Sequence, residues 1–158
     1  MERMKPAGTI YTTSLNIWPQ RFDDGFPGVT DRFEWFAIDY TGRFWIDEPG
    51  MYRFSLLSDD GSRLEIDGEE MIDLDGQHPP YGASASAILT RGVHQMRVAY
   101  YQGPAYAIAL VLAVARPGAG WRIFNTDEFL PPQDPGLWVE GTISEIKTVP
   151  HPHVERRR

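Results

Sequence analysis

The chain has 158 residues, 42% of them hydrophobic and 13% aromatic, with 15 Gly and 13 Pro; this is enough for one domain with a real core and too apolar for a disordered chain. A formal charge of −7 repels phosphate backbones, which argues against nucleic acid as a partner. The absence of cysteine excludes disulfides, thiolate catalysis and Cys-ligated metals.

The first residues, "MERMKPAGTIYTT", contain no apolar h-region, so no secretory signal is expected in this chain and a cytoplasmic location is not excluded. Residues 8–18, "GTIYTTSLNIW", are rich in Thr, Ile and Tyr and predict a strand. A loop follows over 19–32. Two further strands are expected in "FEWFAIDY" and "GRFWIDEPG", joined through Tyr40, Thr41 and Gly42. Strict alternation then sets in: Tyr52, Phe54 and Leu56 share one face of "MYRFSLLS", and Leu64 and Ile66 share one face of "SRLEIDG". The Asp67-Gly68 pair signals a hairpin into "EEMIDL".

After the loop "DGQHPPYG", strands are expected in "SASAILT" and in "VHQMRVAYYQ", where His94, Met96, Val98 and Tyr100 share a parity. "AYAIALVLAVA", residues 105–115, is apolar on both faces and reads as a strand covered on both sides. At about half of the ~20 residues a spanning helix needs, it predicts no membrane insertion. "FNTDEFLPP" carries one helix-start signal, with Asn125 as cap and Pro131 as stop, so at most one short helical turn is expected near 125–130. "PPQDPG" reads as a stiff connector and "LWVEGTISEIKTV" as a last strand. The sum is an all-β protein, an antiparallel β-sandwich or barrel with long loops, in a single domain over 1–158 with a tail over 147–158.

The run "GMYRFSLLSDDGSRLEIDGEEMIDLDGQH", then "LTRGVHQMRVAYYQGP", then "AIALVL" resembles the protective-antigen fourteen-kilodalton-type domain. That β-sandwich occurs in bacterial toxins, in glycosidases, and in the flocculin and epithelial adhesins of fungi. The resemblance is strongest over 33–114. It implies a recognition module, secreted, periplasmic or on a cell surface. In the sugar-binding members an adjacent Asp pair holds Ca²⁺, and the cation holds sugar hydroxyls; Asp59 and Asp60 match that pair. A cis peptide between them is the form seen in the calcium-binding members. Those members also draw an Asn side chain and backbone oxygens from a later loop, whereas the loop "QGPAY" has no Asn, Asp or Glu. The expectation is therefore weak Ca²⁺ binding or none, with no other cofactor.

The residues themselves leave Asp59-Asp60-Gly61 open between that site and a plain turn, in which Asp side chains bond backbone amides and Gly61 relaxes the backbone. Asp67-Gly68 and Asp75-Gly76 read as turn chemistry. Asp23-Asp24, Asp59-Asp60 and Glu69-Glu70 are neighbours in sequence, but a glycosidase pair must face across ~5–9 Å, and neighbours on a strand point to opposite faces. With no G-x-S-x-G, H-E-x-x-H, glycine-rich phosphate loop or EF-hand loop, no enzyme is expected. His78 and His94 read as structural or surface residues, and His151 with His153 is a weak chelator on a tail. Among the many aromatics, Phe26, Tyr81 and Tyr106 fall in loops or at a strand entrance and are the candidates for ligand contact. The function expected is non-catalytic recognition of a glycan or of another extracellular or envelope surface. The alternative is a structural accessory subunit of a larger envelope or surface assembly, with a protein partner and no small ligand.

Overall fold

The computed structural model describes residues 8–21, 36–103 and 107–150. Among the described residues ten strands form two antiparallel sheets packed as a sandwich. They are β1 (Asn16–Arg21), β2 (Phe36–Ile46), β3 (Gly50–Asp59), β4 (Ser62–Ile66), β5 (Glu69–Leu74), β6 (Tyr81–Leu89), β7 (Gly92–Gln102), β8 (Ala107–Ala115), β9 (Arg122–Ile123) and β10 (Ile143–Pro150). One sheet runs β1-β8-β3-β6-β10, with β9 beside β8; the other runs β2-β7-β4-β5. Among the described residues no helix is long and apolar enough to cross a membrane.

The alternation in the sequence builds the core. Tyr52, Phe54 and Leu56 from β3 meet Leu64 and Ile66 from β4, Val98 and Tyr100 from β7, and Phe36, Phe44 and Ile46 from β2, all buried. Phe44 centres an aromatic cluster, edge-on to Phe124 at 5.4 Å and to Phe129 at 6.0 Å, a favoured geometry for ring quadrupoles. β8 lies between β1 and β3, and Ala109, Val111 and Ala115 are buried on its outer side as Ile108, Leu110, Leu112 and Val114 are on its inner side. The doubly apolar run is thus a strand covered on both faces.

Several joints differ from expectation. The two strands expected on either side of Tyr40-Thr41-Gly42 are one continuous strand: Tyr40, Thr41 and Gly42 pair with Val98, Arg97 and Met96. An uninterrupted eleven-residue partner, β7, holds them extended. β1 starts at Asn16 and takes in Pro19, Gln20 and Arg21 from the expected loop. Pro19 is tolerated because β1 is an edge strand whose register slips between Ile17 and Gln20. The rest of that loop, with Asp23, Asp24 and Phe26, lies outside the described residues.

The helical turn near 125–130 is a 3₁₀ turn over Thr126–Glu128, capped by the Asn125 side chain, which accepts from Asp127 N. A second 3₁₀ turn, Pro135–Leu137, forms inside the connector because Asp134 accepts from Gly136 N and Pro135 supplies the first residue. The last strand begins only at Ile143 and takes in 147–150, the start of the expected tail. Thr148 Oγ1 donates to Met71 O at 2.6 Å, fastening β10 at the edge of one sheet to β5 at the edge of the other.

The sandwich has two distinct ends. Pairings place Arg21, Phe36, Asp59, Ser62, Leu74, Tyr81 and Gln102 at one end, and Ile46, Gly50, Ile66, Leu89 and Gly92 at the other. An eleven-residue strand such as β2 separates them by roughly 35 Å.

Candidate functional site

The chain changes sheets between β3 and β4, and Asp59, Asp60 and Gly61 make the crossing. Local chemistry fixes its shape. Ser58 Oγ donates to Asp60 O at 2.7 Å, Ser62 Oγ donates to Ser58 Oγ at 2.6 Å, and Tyr100 Oη donates to Asp59 O at 2.6 Å. Gly61 O accepts from Tyr101 N at 2.8 Å. A Cβ on Gly61 would stand 2.9 Å from Gly76 N and 3.0 Å from Gly76 O, so glycine is needed there for close backbone approach. The Asp59-Asp60 peptide bond is cis.

Both carboxylates are buried, Asp59 at 7% and Asp60 at 5% exposure, and they differ in their partners. Asp60 Oδ2 accepts from Gly103 N at 2.7 Å and Asp60 Oδ1 accepts from His78 N at 3.1 Å. Gly103 follows β7 and His78 lies between β5 and β6, so one carboxylate ties together three of the four places where the chain changes sheets at this end. A Cβ on Gly103 would lie 3.1 Å from Asp60 Oδ2. Asp59 is pushed up from 3.8 to about 7, first by burial and then by the charge of Asp60 and the hydrogen bond between the two carboxyl groups. Burial, with the charges of Asp59 and Asp60, also pushes the Tyr100 phenol up, so it stays a donor. Among the described residues no Lys, Arg or His forms an ion pair with either carboxylate.

Two buried carboxyl groups side by side, with no ion-paired cation among the described residues, are hard oxygen donors that suit Ca²⁺ in kind. In number they fall short: among the described residues no group of three or more His, Cys, Asp or Glu is placed to hold a metal, whereas Ca²⁺ takes six to eight oxygens.

Tyr81 stands beside this pair, since β6 starts with Tyr81 opposite Ser58. Its ring is half-buried and rests 4.0 Å from the His78 ring. Phe26 and Tyr106 lie outside the described residues, as do His151 and His153. Asp75 bonds Gly76 N and pairs with Arg63, as a turn residue does. Glu69 and Glu70 are exposed at the far end. Asp67 makes the expected hairpin, with φ of 53° and Gly68 at 80°, and has a partner that sequence reasoning missed. Its Oδ2 lies 2.6 Å from His94 Nδ1, and its Oδ1 accepts from Gln95 N at 2.8 Å. His94 is fully buried, with Nε2 2.7 Å from Thr90 O. Also missed was an open groove of about 360 Å³ on the outer face of the smaller sheet, lined by Thr41, Arg43, Glu65, Gln95 and Arg97. Arg97 there is held by Asp39 at 2.8 Å and Glu65 at 3.5 Å.

A PA14 domain match covers residues 21–127. The chain belongs to the PA14 domain family. Solved structures agree with the fold. An anti-sigma factor domain-containing protein superposes with a TM-score of 0.60 at 21% identity, over 76% of this chain and 42% of that one. The PA14 domain of an antifreeze protein, MpAFP, gives 0.51 at 20% identity, over 58% and 49%. A PA14 sugar-binding domain from an RTX adhesin gives 0.51 at 26% identity, over 58% and 51%. This PA14 chain spans about half the length of those chains or less. Comparison with curated proteins gives no match. Family membership and a sugar-binding neighbour support a non-catalytic binding or accessory module.

Proposed function

We propose that this PA14 domain is a recognition module, facing the cell exterior or envelope, that binds a glycan at the end carrying Asp59 and Asp60. One observation carries the reading: two adjacent carboxyl groups are buried there with no ion-paired cation among the described residues, and the proton affinity of Asp59 is raised first by burial and then by the charge of Asp60, a charge that a bound cation can neutralise. The RTX adhesin neighbour, described as sugar-binding, supports the ligand class. Ca²⁺, where bound, would be held by the Asp59 and Asp60 carboxylates and would supply a Lewis-acidic centre for paired sugar hydroxyls. With two side-chain carboxylates contributing, its affinity is expected to be weaker than micromolar. Tyr81, half-buried beside the pair, offers a ring face to a sugar, and Phe26 and Tyr106 are proposed as further contacts.

Glycan arrays probed with wild type and Asp59→Asn, each with and without millimolar Ca²⁺, test this. Wild-type binding that Ca²⁺ strengthens and Asp59→Asn loses is the expected result. Absence of binding under both conditions removes the glycan reading and leaves the accessory-subunit reading.

A further inference from the structure

Residues 128–150 lie beyond the PA14 match, and exposed apolar side chains concentrate there. Leu130 is 66% exposed, Leu137 58%, Trp138 44% and Val139 51%. All four sit on one arch, residues 130–139, at the end of the sandwich opposite Asp59 and Asp60. The arch is anchored on both sides of a two-strand ribbon. Phe129 O accepts from Trp45 N at 2.8 Å, Val139 O accepts from Val93 N at 2.8 Å, and Trp45 and Val93 are themselves paired between β2 and β7. Within it, Trp138 Nε1 donates to Pro132 O at 2.7 Å, and Asp134 caps the 3₁₀ turn.

We infer that this arch is a docking surface for a protein partner presenting an apolar recess rimmed by Lys and Arg. Exposed Trp and Leu on a braced backbone lose little conformational entropy on binding, and Trp is the side chain most often found at interface centres. Charge selects the rim of the partner. Residues 126–140 carry Asp127, Glu128, Asp134 and Glu140 and no Lys or Arg; Glu128 is paired with Arg122, and Asp134 and Glu140 are exposed. Arg116, over the Phe129 ring at 4.1 Å and bonded to Glu128 O, and Arg91, over Trp45, stand at the roots of the arch, so the charges offered to a partner at the arch itself are those of Asp134 and Glu140. Docking here does not depend on a ligand at the other end.

The test uses the full chain in the cells that make it, with a photo-crosslinking benzoylphenylalanine in place of Leu137, followed by mapping of the crosslinked peptide. The expected product is one protein, joined through an apolar segment flanked by Lys or Arg. With that protein purified, Leu137→Asp should weaken the complex at least tenfold, and added salt should weaken it further. Val149→Asp, at an exposed apolar position away from the arch, should leave affinity unchanged, and Leu137→Asp should leave glycan binding and melting temperature unchanged. Four outcomes overturn the inference: no crosslink; crosslinks scattered over many proteins or to an acidic segment; equal loss with Val149→Asp; or co-sedimentation of the chain with phosphatidylcholine or phosphatidylglycerol vesicles that Leu137→Asp abolishes.

Discussion

Asp60 commits both carboxylate oxygens to backbone amides, while its neighbour Asp59, pushed up to about 7, keeps its proton only below neutral pH. The two substitutions to Asn therefore separate. In Asp60→Asn the amide NH₂ must face one of the N–H donors, His78 N or Gly103 N, leaving a buried donor unpaired; we expect a loss of about 2–3 kcal/mol in urea unfolding at pH 7. Asp59→Asn acts in the opposite sense. The folded-state carboxyl sits at about 7 against an ordinary 3.8, so between those values the folded chain holds more protons than the unfolded one. Stability from this group is fully present at the acid end of that window, falls as pH rises toward 7, and levels off above it. Asp59→Asn should flatten that slope and stabilise the apo chain at pH 8 by on the order of 2 kcal/mol, allowing for solvent screening at the rim; parallel pH profiles for the two proteins would refute the assignment. The sequence makes the pair visible because it abuts Gly61 in a turn. It does not show that Asp60 reaches residues 18 and 43 positions away, because which loops meet at one end depends on how strands are dealt between sheets.

At the scale of elements, period-two alternation made β3, β4 and β7 legible, since each buries one face. The joints were less legible. Gly42 reads as a turn residue, yet the ladder to β7 keeps it extended. The connector after Phe129 shows only prolines, whereas its anchoring depends on Trp45 and Val93 far earlier in the chain. One prediction belongs here. A Cβ on Gly141 would fall 2.2 Å from His94 Nε2 and 2.5 Å from its Cε1, and His94 is locked between Asp67 and Thr90. Gly141→Ala should therefore cost about 1–3 kcal/mol and lift 139–141 off β7. Hydrogen exchange should show the Val93 and Gly141 amides, which bond across this seam, speeding up by more than the Leu56 amide of the β3 core, which follows only the global loss. A smaller effect is expected for Thr148→Val, which removes the bond to Met71 O and should cost about 1 kcal/mol.

Across the whole molecule, the sandwich presents different chemistry at its two ends: buried carboxyl groups at one, and an exposed apolar arch with acidic neighbours at the other. Strand pattern and family resemblance together point to Asp59 and Asp60 at the first end, which lies inside the PA14 match. The second lies beyond that match and emerged only when the arch was seen seated on β2 and β7. The claim on which the account rests is that ligand recognition belongs to the Asp59–Asp60 end. Its most direct test is amide chemical-shift mapping of the full chain titrated with Ca²⁺ and then with a glycan identified on the array. Shifts confined to the amides of Asp59, Asp60, Gly61, His78, Tyr81, Gln102 and Gly103 are predicted. Shifts centred instead on Arg43 and Gln95, or on the arch, with those seven unmoved, would contradict it.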